Sequence, residues 1–395
     1  MSKGILNGLR VLDFTRVLAG PYTTRILADF GAEVIKIQSK KIAYGAESNT
    51  EAYFNTWNRN KRSITLNMSY PEAKAIALNL VEISDVVVEN FSSRVMSNWG
   101  LDYEKLSDAN SALIMLSMSA MGQSGPWRNH VAFAPTIHSL SGLTYLTSFS
   151  QDFPLGLGHS YADIVAGLYG ALSVLAALEY RDRTGQGQYI DLSEYEAMCT
   201  LIGPTLLKVF AGHKEILPQG NRAPYEPAAP YGCYKCRGED RWCVIAVFAE
   251  EEWQALCDVM GQPGWTKNEE FSSGPKREAH STQLDELLEK WTSTQSAEEV
   301  VQRLQRVGVP AGVVQNAEDL AHDPQLLARG AFAQLKHPIL GTTVTDTYPL
   351  NMEVSQKGSW KAAPLLGEDN PYVFKELLGL SEEQYSLYVK GGIIG

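Results

Sequence analysis

The chain has 395 residues, and its 45 acidic side chains against 34 basic ones give a formal net charge of −11. Hydrophobic residues make up 44% and charged residues 20%, the balance of a globular chain long enough for two or three domains. The acidic excess argues against a general binder of nucleic acid or anionic membrane, and no run approaches the ~18 uninterrupted apolar residues of a membrane span.

The segment from Met1 to Arg10 runs straight into a strand pattern, without the apolar stretch of a secretory signal. Five cysteines, Cys199, Cys233, Cys236, Cys243 and Cys257, are an odd number that fits a reducing compartment. A cytoplasmic protein is expected.

Leu9 to Phe14 reads as a short apolar strand. Gly20-Pro21 follows, then a helical pattern from Pro21 to Asp29, a Gly31 stop and a second strand from Glu33 to Ile37. Pro in the first turn and Gly past the last mark the helix ends, and the spacing describes a βαβ unit with a parallel pair. The pattern repeats, with a strand from Ser63 to Leu66, a helix from Pro71 to Ile83, and strands from Asp85 to Glu89 and Ala112 to Ser117. This alternation predicts an open α/β sheet with helices on its faces. Tyr161 to Tyr180, closed by Thr184-Gly185, is the most helical stretch. Ala162, Ala166, Gly167, Gly170 and Ala171 recur along it and permit close backbone approach, which predicts a central helix. Gln188 to Leu192 then reads as a strand and Ser193 to Phe210 as a helix.

The texture changes after Gly212. Pro and Gly cluster from Pro218 to Pro230, and β content from Tyr234 to Val247 surrounds a polar turn at Arg237 to Asp240. Helices are predicted at Glu251 to Met260, Gln283 to Trp291 and Ala297 to Arg306, which together describe a second, smaller α+β domain. Gly341 to Val354 looks extended and Asn370 to Leu378 helical, but periodicity does not say where this tail packs.

Several chemistries are weakened by what is missing. The first βα turn offers Gly20 alone, and Gly156-Leu157-Gly158 follows no strand, so the dinucleotide fingerprint G-x-G-x-x-G is absent, as is a P-loop. Cys233, Cys236, Cys243 and Cys257 are enough thiols for zinc, yet buried structural cysteines are the weightier reading. The seven histidines show no H-E-x-x-H and no i, i+4 pair, and Gln123-Ser124-Gly125 lacks the first Gly of a hydrolase elbow. No metal is expected.

One carboxylate stands out. Asp163 lies between a loop containing Gly and Pro and an apolar helix, so it falls in a first helical turn, where free N–H groups and the macrodipole favour an anion. A reachable carboxylate is a nucleophile toward an activated acyl carbon. The alternative is plain capping, since Ser160-x-x-Asp163 matches a relaxed capping box.

Five segments taken together resemble the class III coenzyme A-transferase family, which includes formyl-CoA transferase, carnitine CoA-transferase and the α-methylacyl-CoA racemases. They are Gly8 to Pro21 continuing through Asp29 to Ile37, Asn60 to Met68, Asp85 to Phe91, Ala162 to Gly167 through Arg183 to Gln188, and Pro364 to Glu368. The resemblance spans nearly the whole chain in register. It implies an α/β fold with a Rossmann-like large domain built from both chain ends (1–212 and a return over 325–395), a small α+β domain at 213–324, and an interlocked homodimer.

The resemblance also implies that Asp163 attacks an acyl-CoA thioester, giving a mixed anhydride and then an aspartyl-CoA thioester before CoA passes to an acceptor carboxylate. Coenzyme A and acyl-CoA are then substrates, and no cofactor is implied. By motif position CoA would contact Arg16, Val17, Leu18 and Ala19, then Leu66, Asn67, Met68 and Ser69 beside the adenosine, then Asn90, Phe91 and Ser92. Arg16 would pair with a phosphate. Ser92 and Asn98 stand where the family often has basic residues, and Arg94 would supply charge from a shifted position. Tyr53 matches an aromatic site position, and Glu226 to Tyr231 replaces a glycine-rich loop. In the racemases a counterpart of Asp163 works with a histidine whose position is here Phe133, which cannot transfer a proton. His130 lies three residues early. The expected activity is CoA transfer from an acyl-CoA to a carboxylic acid. The alternatives are α-methylacyl-CoA racemisation and a non-catalytic CoA-binding subunit of a heteromeric transferase.

Overall fold

The computed structural model describes residues 4–212, 216–218, 220–222, 227–353 and 360–395. Lys214, Glu226 and Val354, each within a segment named from the sequence, lie outside the described residues. The chain divides into two compact units, one of Met1–Thr144, Gly156–Lys214 and Arg329–Gly395, the other of Tyr145–Leu155 and Glu215–Ala328.

The larger unit is built on six strands, β1 (Arg10–Asp13), β2 (Glu33–Gln38), β3 (Arg62–Thr65), β4 (Val86–Glu89), β5 (Ile114–Ser119) and β6 (Gln188–Ser193), in the order β3-β2-β1-β4-β5-β6. Every neighbouring pair is parallel. The helices between them are α1 (Ala19–Asp29), α2 (Ala52–Asn58), α3 (Pro71–Glu82), α4 (Val95–Trp99), α5 (Tyr103–Ala109), α6 (Ala134–Leu140), α7 (Leu143–Leu146) and α8 (Tyr161–Thr184). After β6 come α9 (Glu194–Leu201) and α10 (Gly203–Phe210). The single helix expected over Ser193 to Phe210 is two, because Gly203-Pro204 interrupts it.

Strand residues alternate between two cores. Leu12, Ile35, Ile37 and Ile64 face α3 through Ala73, Ile76, Ala77 and Leu80. Val11, Val34, Val86, Val88, Ile114 and Leu116 face α1 and α8 through Leu27, Ala166 and Val174. The small residues of α8 have the role their spacing predicts. A Cβ on Gly167 would lie 2.7 Å from the Tyr22 ring and 3.1 Å from the Ala19 carbonyl, and one on Gly170 would lie 2.6 Å from Thr23 Oγ1. By length and composition α8 is the one helix among the described residues able to cross a membrane, but half of it is buried on this core.

The unplaced tail returns to the sheet. Strands at Phe332–His337 and Gly341–Asp346 form an antiparallel hairpin, and Tyr372–Leu377 is a π-helical turn where an ordinary helix was expected. Val373, Phe374, Ile393 and Ile394 complete the α3-side core. Just ahead of the π turn, the side chains of Asp369 and Asn370 accept from the N–H groups of Ser63 and Thr65, both at 2.9 Å. They occupy donors that the edge strand β3 would otherwise present to solvent.

The smaller unit carries a three-stranded antiparallel sheet of Tyr231–Lys235, Trp242–Ala246 and Ala311–Val313. Tyr234, Cys236, Cys243, Leu256, Cys257 and Leu288 share its apolar core. Burial pushes the Cys243 thiol far above its ordinary range. Arg277 forks onto both oxygens of Glu250, at 3.0 and 2.8 Å, while lying 4.6 Å over Trp253.

Gly167→Ala, which forces a methyl against Tyr22 and the Ala19 carbonyl, is expected to destabilise the protein by about 1–3 kcal/mol. A lower urea midpoint with unchanged slope would register it.

Candidate active site

The strand order reverses at β1, whose neighbours β2 and β4 are reached by crossovers on opposite sides, and in open α/β sheets ligands bind at the carboxyl ends of the strands beside such a reversal. The turn from β1 to α1 lies at that end of β1. Asp13, fully buried at the end of β1, accepts from Thr15 N–H (2.8 Å), Thr15 Oγ1 (2.5 Å), Thr24 Oγ1 (2.7 Å) and Lys61 Nζ (3.0 Å). Burial pushes this carboxyl up, but Lys61, Lys36 and the two threonine hydroxyls outweigh it and hold Asp13 well below the usual carboxylate range. Burial draws Lys61 down to about 7 against the pull of Asp13. Its three acceptors, Asp13, the Pro21 carbonyl and Asn58 Oδ1, are those of an ammonium.

The next residues are clamped. Asn90, just beyond β4, accepts from Arg16 N–H at 2.7 Å and donates to the Arg16 carbonyl at 2.9 Å. Val17 has φ +64°, a left-handed conformation that a β-branched residue resists. Its N–H is held by Glu47 Oε1 at 2.7 Å. The Arg16 guanidinium turns inward, donating to the Ile37 carbonyl at 2.8 Å with Glu47 3.8 Å away.

Asp163 lies in the first turn of α8. Its own N–H and that of Ala19, the first residue of α1, lie near enough to favour its ionised form, so two helix N-termini face one anion. Burial still dominates. It raises the carboxyl to about 6, opposed by those two N–H groups and by His159. The capping box read from Ser160 does not form, because the Ser160 side chain makes no cap hydrogen bond. The N–H of Ala162 is instead taken by Nε2 of buried His138, at 3.0 Å. Nε2 is therefore the unprotonated nitrogen of a neutral ring, and burial, followed by the neighbouring His159, holds the His138 pKa down.

The residues singled out by motif fall on the carboxyl edge of the sheet. Arg16, Val17, Leu18 and Ala19 follow β1, Leu66 to Ser69 follow β3, and Asn90 to Arg94 follow β4. Leu18, Ala19, Leu66 and Met68 are buried, whereas Ser69, Ser92 and Arg94 are exposed. Asn67 donates its N–H to the Ile393 carbonyl, and Arg94 Nε donates to Asn129 at 3.2 Å. Tyr53 packs edge-on against Trp57, and its hydroxyl is pushed to about 12 by burial and then by Asp163 and Glu47, which places it within electrostatic reach of Asp163. Phe133 caps α6 and is largely exposed. His130 stacks on Trp127.

Three groups escaped the sequence reading: His138, Glu47 and Glu194. Each acts across the fold on a partner distant in sequence, so no local spacing announces it. Glu194, the first residue of α9, is buried, and burial followed by the Asp163 charge pushes its carboxyl to about 8. Among the described residues no group of three or more His, Cys, Asp or Glu side chains is placed to hold a metal. A cavity of about 960 Å³ lies at the opposite, amino end of the strands, against Arg10, Glu33, Arg62, Tyr348 and Trp360.

Residues 6–370 match the model of CoA-transferase family III. The chain is 32% identical over 390 residues to the succinyl-CoA–D-citramalate CoA-transferase of Chloroflexus aurantiacus, covering 97% of this chain and 96% of that one. It is 30% identical over 402 residues to the formyl-CoA:oxalate CoA-transferase of Rhodopseudomonas palustris, covering 95% and 94%. The crystal structure of a CAIB/BAIF family protein from Brucella suis superposes with a TM-score of 0.88 at 29% identity, covering 95% of this chain and all of that one. The chain belongs to CoA-transferase family III and is an acyl-CoA:carboxylate CoA-transferase.

The raised Asp163 pKa carries a stability consequence. A carboxyl that holds its proton more tightly folded than unfolded loses stability as pH rises from its ordinary value, 3.8, to about 6. Asp163→Asn is therefore expected to match wild type near pH 4 and to exceed it in melting temperature at pH 7–8. Thermal scans across that range should show the gap opening with pH.

Proposed function

We propose that Asp163 is the covalent nucleophile of this transferase. One oxygen of its carboxylate attacks the thioester carbon of the donor acyl-CoA. The C–S bond breaks, leaving an aspartyl–acyl anhydride and CoA thiolate. The thiolate then attacks the aspartyl carbonyl, releasing the donor acid and forming an aspartyl-CoA thioester. The acceptor carboxylate displaces that thiolate to give a second anhydride, and the thiolate attacks the new acyl carbon, releasing product and regenerating Asp163. The activation of the thioester is conserved throughout, so no nucleotide is consumed.

The single observation that carries this reading is the approach of two helix N-termini, those of α1 at Ala19 and of α8 at Asp163 itself, to the Asp163 carboxylate. Donors so placed also suit the oxyanion that develops when a carbonyl beside them is attacked. The strained, doubly clamped turn at Arg16 and Val17 keeps Ala19 in place. CoA would run along the carboxyl ends of β1, β3 and β4. The names of the relatives suggest small dicarboxylic acids and their thioesters as substrates. Phe133 stands at the position where a racemase needs its second proton carrier.

Asp163→Ala is expected to abolish thioester exchange while retaining CoA binding, as read by the masses of new acyl-CoAs from panels of donors and acids. Hydroxylamine added during turnover should modify the peptide containing Asp163, and an unaltered peptide would overturn the assignment. The rate should rise with pH through about 6, as Asp163 ionises.

The interlocked homodimer is part of the same proposal. Leu207 and Phe210 on α10 are 69% and 83% exposed, and Leu168 and Leu172 on α8 are 52% and 62% exposed, apolar faces that a second copy would cover. Solution mass should be twice the 43.5 kDa of one chain. A single-chain mass would refute the dimer.

A further inference from the structure

Glu194 is a buried carboxyl for which the transfer chemistry has so far no use. It follows β6, where Ile190 and Leu192 pack toward the face covered by α8. Ser193 is still extended, at φ −92° and ψ 119°, so the alternation carries through and aims position 194 at the same helix. One turn on, Ala197 and Met198 lie on the same side of α9 and pack with Ala162 and Val165, which flank Asp163. Glu194 is only 7% exposed. Among the described residues no protein hydrogen bond reaches its carboxyl, whose oxygens are not sealed from solvent and are open to a ligand.

The charges around it are few. Asp163, from α8, is the group that registers on Glu194. His138, from α6, gives its Nε2 to Ala162, and His159, ahead of α8, acts on Asp163 and His138. On its own elements, Asp191 accepts from Gln123 N–H, and the N–H of Glu196 is capped by Ser193.

We propose that Glu194 selects the acceptor, by offering its carboxyl O–H to a second oxygen on the acyl chain that Asp163 carries. The enzyme then prefers carboxylic acids bearing a hydroxyl or a further carboxylate over plain aliphatic acids of equal length. This rests on Asp163 being the acyl-carrying residue. A neutral carboxylic acid can donate to such an oxygen, whereas an ionised one only accepts and repels both Asp163 and an anionic substrate. Burial raises the Glu194 carboxyl, and in the free enzyme the Asp163 charge raises it further, to about 8. While Asp163 carries an acyl or CoA group that charge is gone and burial alone acts.

The test compares kcat/KM for butyrate with that for 2-hydroxybutyrate, 3-hydroxybutyrate and succinate, with acetyl-CoA and succinyl-CoA each tried as donor. Wild type at pH 7 is expected to favour at least one oxygen-bearing acid by about tenfold or more, because a site that hydrogen-bonds an oxygen rejects the analogue lacking it. Glu194→Leu should bring that ratio to within about twofold of unity. Glu194→Gln, which keeps a donor, should retain most of it. The wild-type ratio should fall toward alkaline pH as Glu194 ionises, and the Gln variant's should not. A ratio of two rates on one preparation is insensitive to the fraction folded. An unchanged ratio in Glu194→Leu, or wild-type exchange without preference, overturns this inference alone. Failure of wild type to exchange CoA with any acid, with no modification of Asp163, overturns the nucleophile reading beneath it as well.

Discussion

The site depends on the buried Asp13 carboxylate at the end of β1. Four donors converge on it, from the turn that follows (Thr15), from α1 (Thr24) and from the residue before β3 (Lys61). Breaking a buried ion pair by removing one partner typically costs about 3–5 kcal/mol, so the interaction ties three elements together with more than the strength of a surface bridge. It also determines where the chain leaves the sheet. With Asp13 and Thr15 fixed, Arg16 meets Asn90, Val17 is held in its left-handed conformation against Glu47, and the first N–H of α1 is brought near Asp163.

The carboxyl ends of the strands gather acids under unequal conditions. Asp13 is surrounded by cations and donors and stays ionised. Asp163 has donors but also burial, and sits near 6. Glu194 has burial and a like charge, and sits near 8. Glu89, at the end of β4, is raised to about 7 by burial despite the nearby Ser117 hydroxyl and a hydrogen bond from the Phe91 N–H. Environments that separate the pKa values of neighbouring carboxyls are a recognised way of giving chemically identical groups different tasks.

The parallel sheet was legible because buried strands are continuous apolar runs punctuated by Gly and Pro, and the end of α8 because Gly185 takes the left-handed conformation expected of a helix stop. Helices such as α2, α4, α5 and α6 were not read. They span five to seven residues, too few for a helical period to show. Asp163 could be found because a first-turn acid is a local pattern. The capping role suggested by Ser160 is not taken up, and the neighbouring N–H of Ala162 is held by a histidine 24 residues earlier. His138, Glu47 and Glu194 act only across the fold, and a single sequence carries no record of such meetings.

Strand β3 has its open side closed by Asp369, whose carboxylate reaches the Ser63 N–H from 306 residues further along the chain. During synthesis the ribosome therefore exposes a hydrogen-bonding strand edge long before the segment that covers it has been made. For that interval the nascent sheet can recruit another extended segment as readily as its own. The covering carboxylate becomes available only once the segment around residue 369 has left the ribosome.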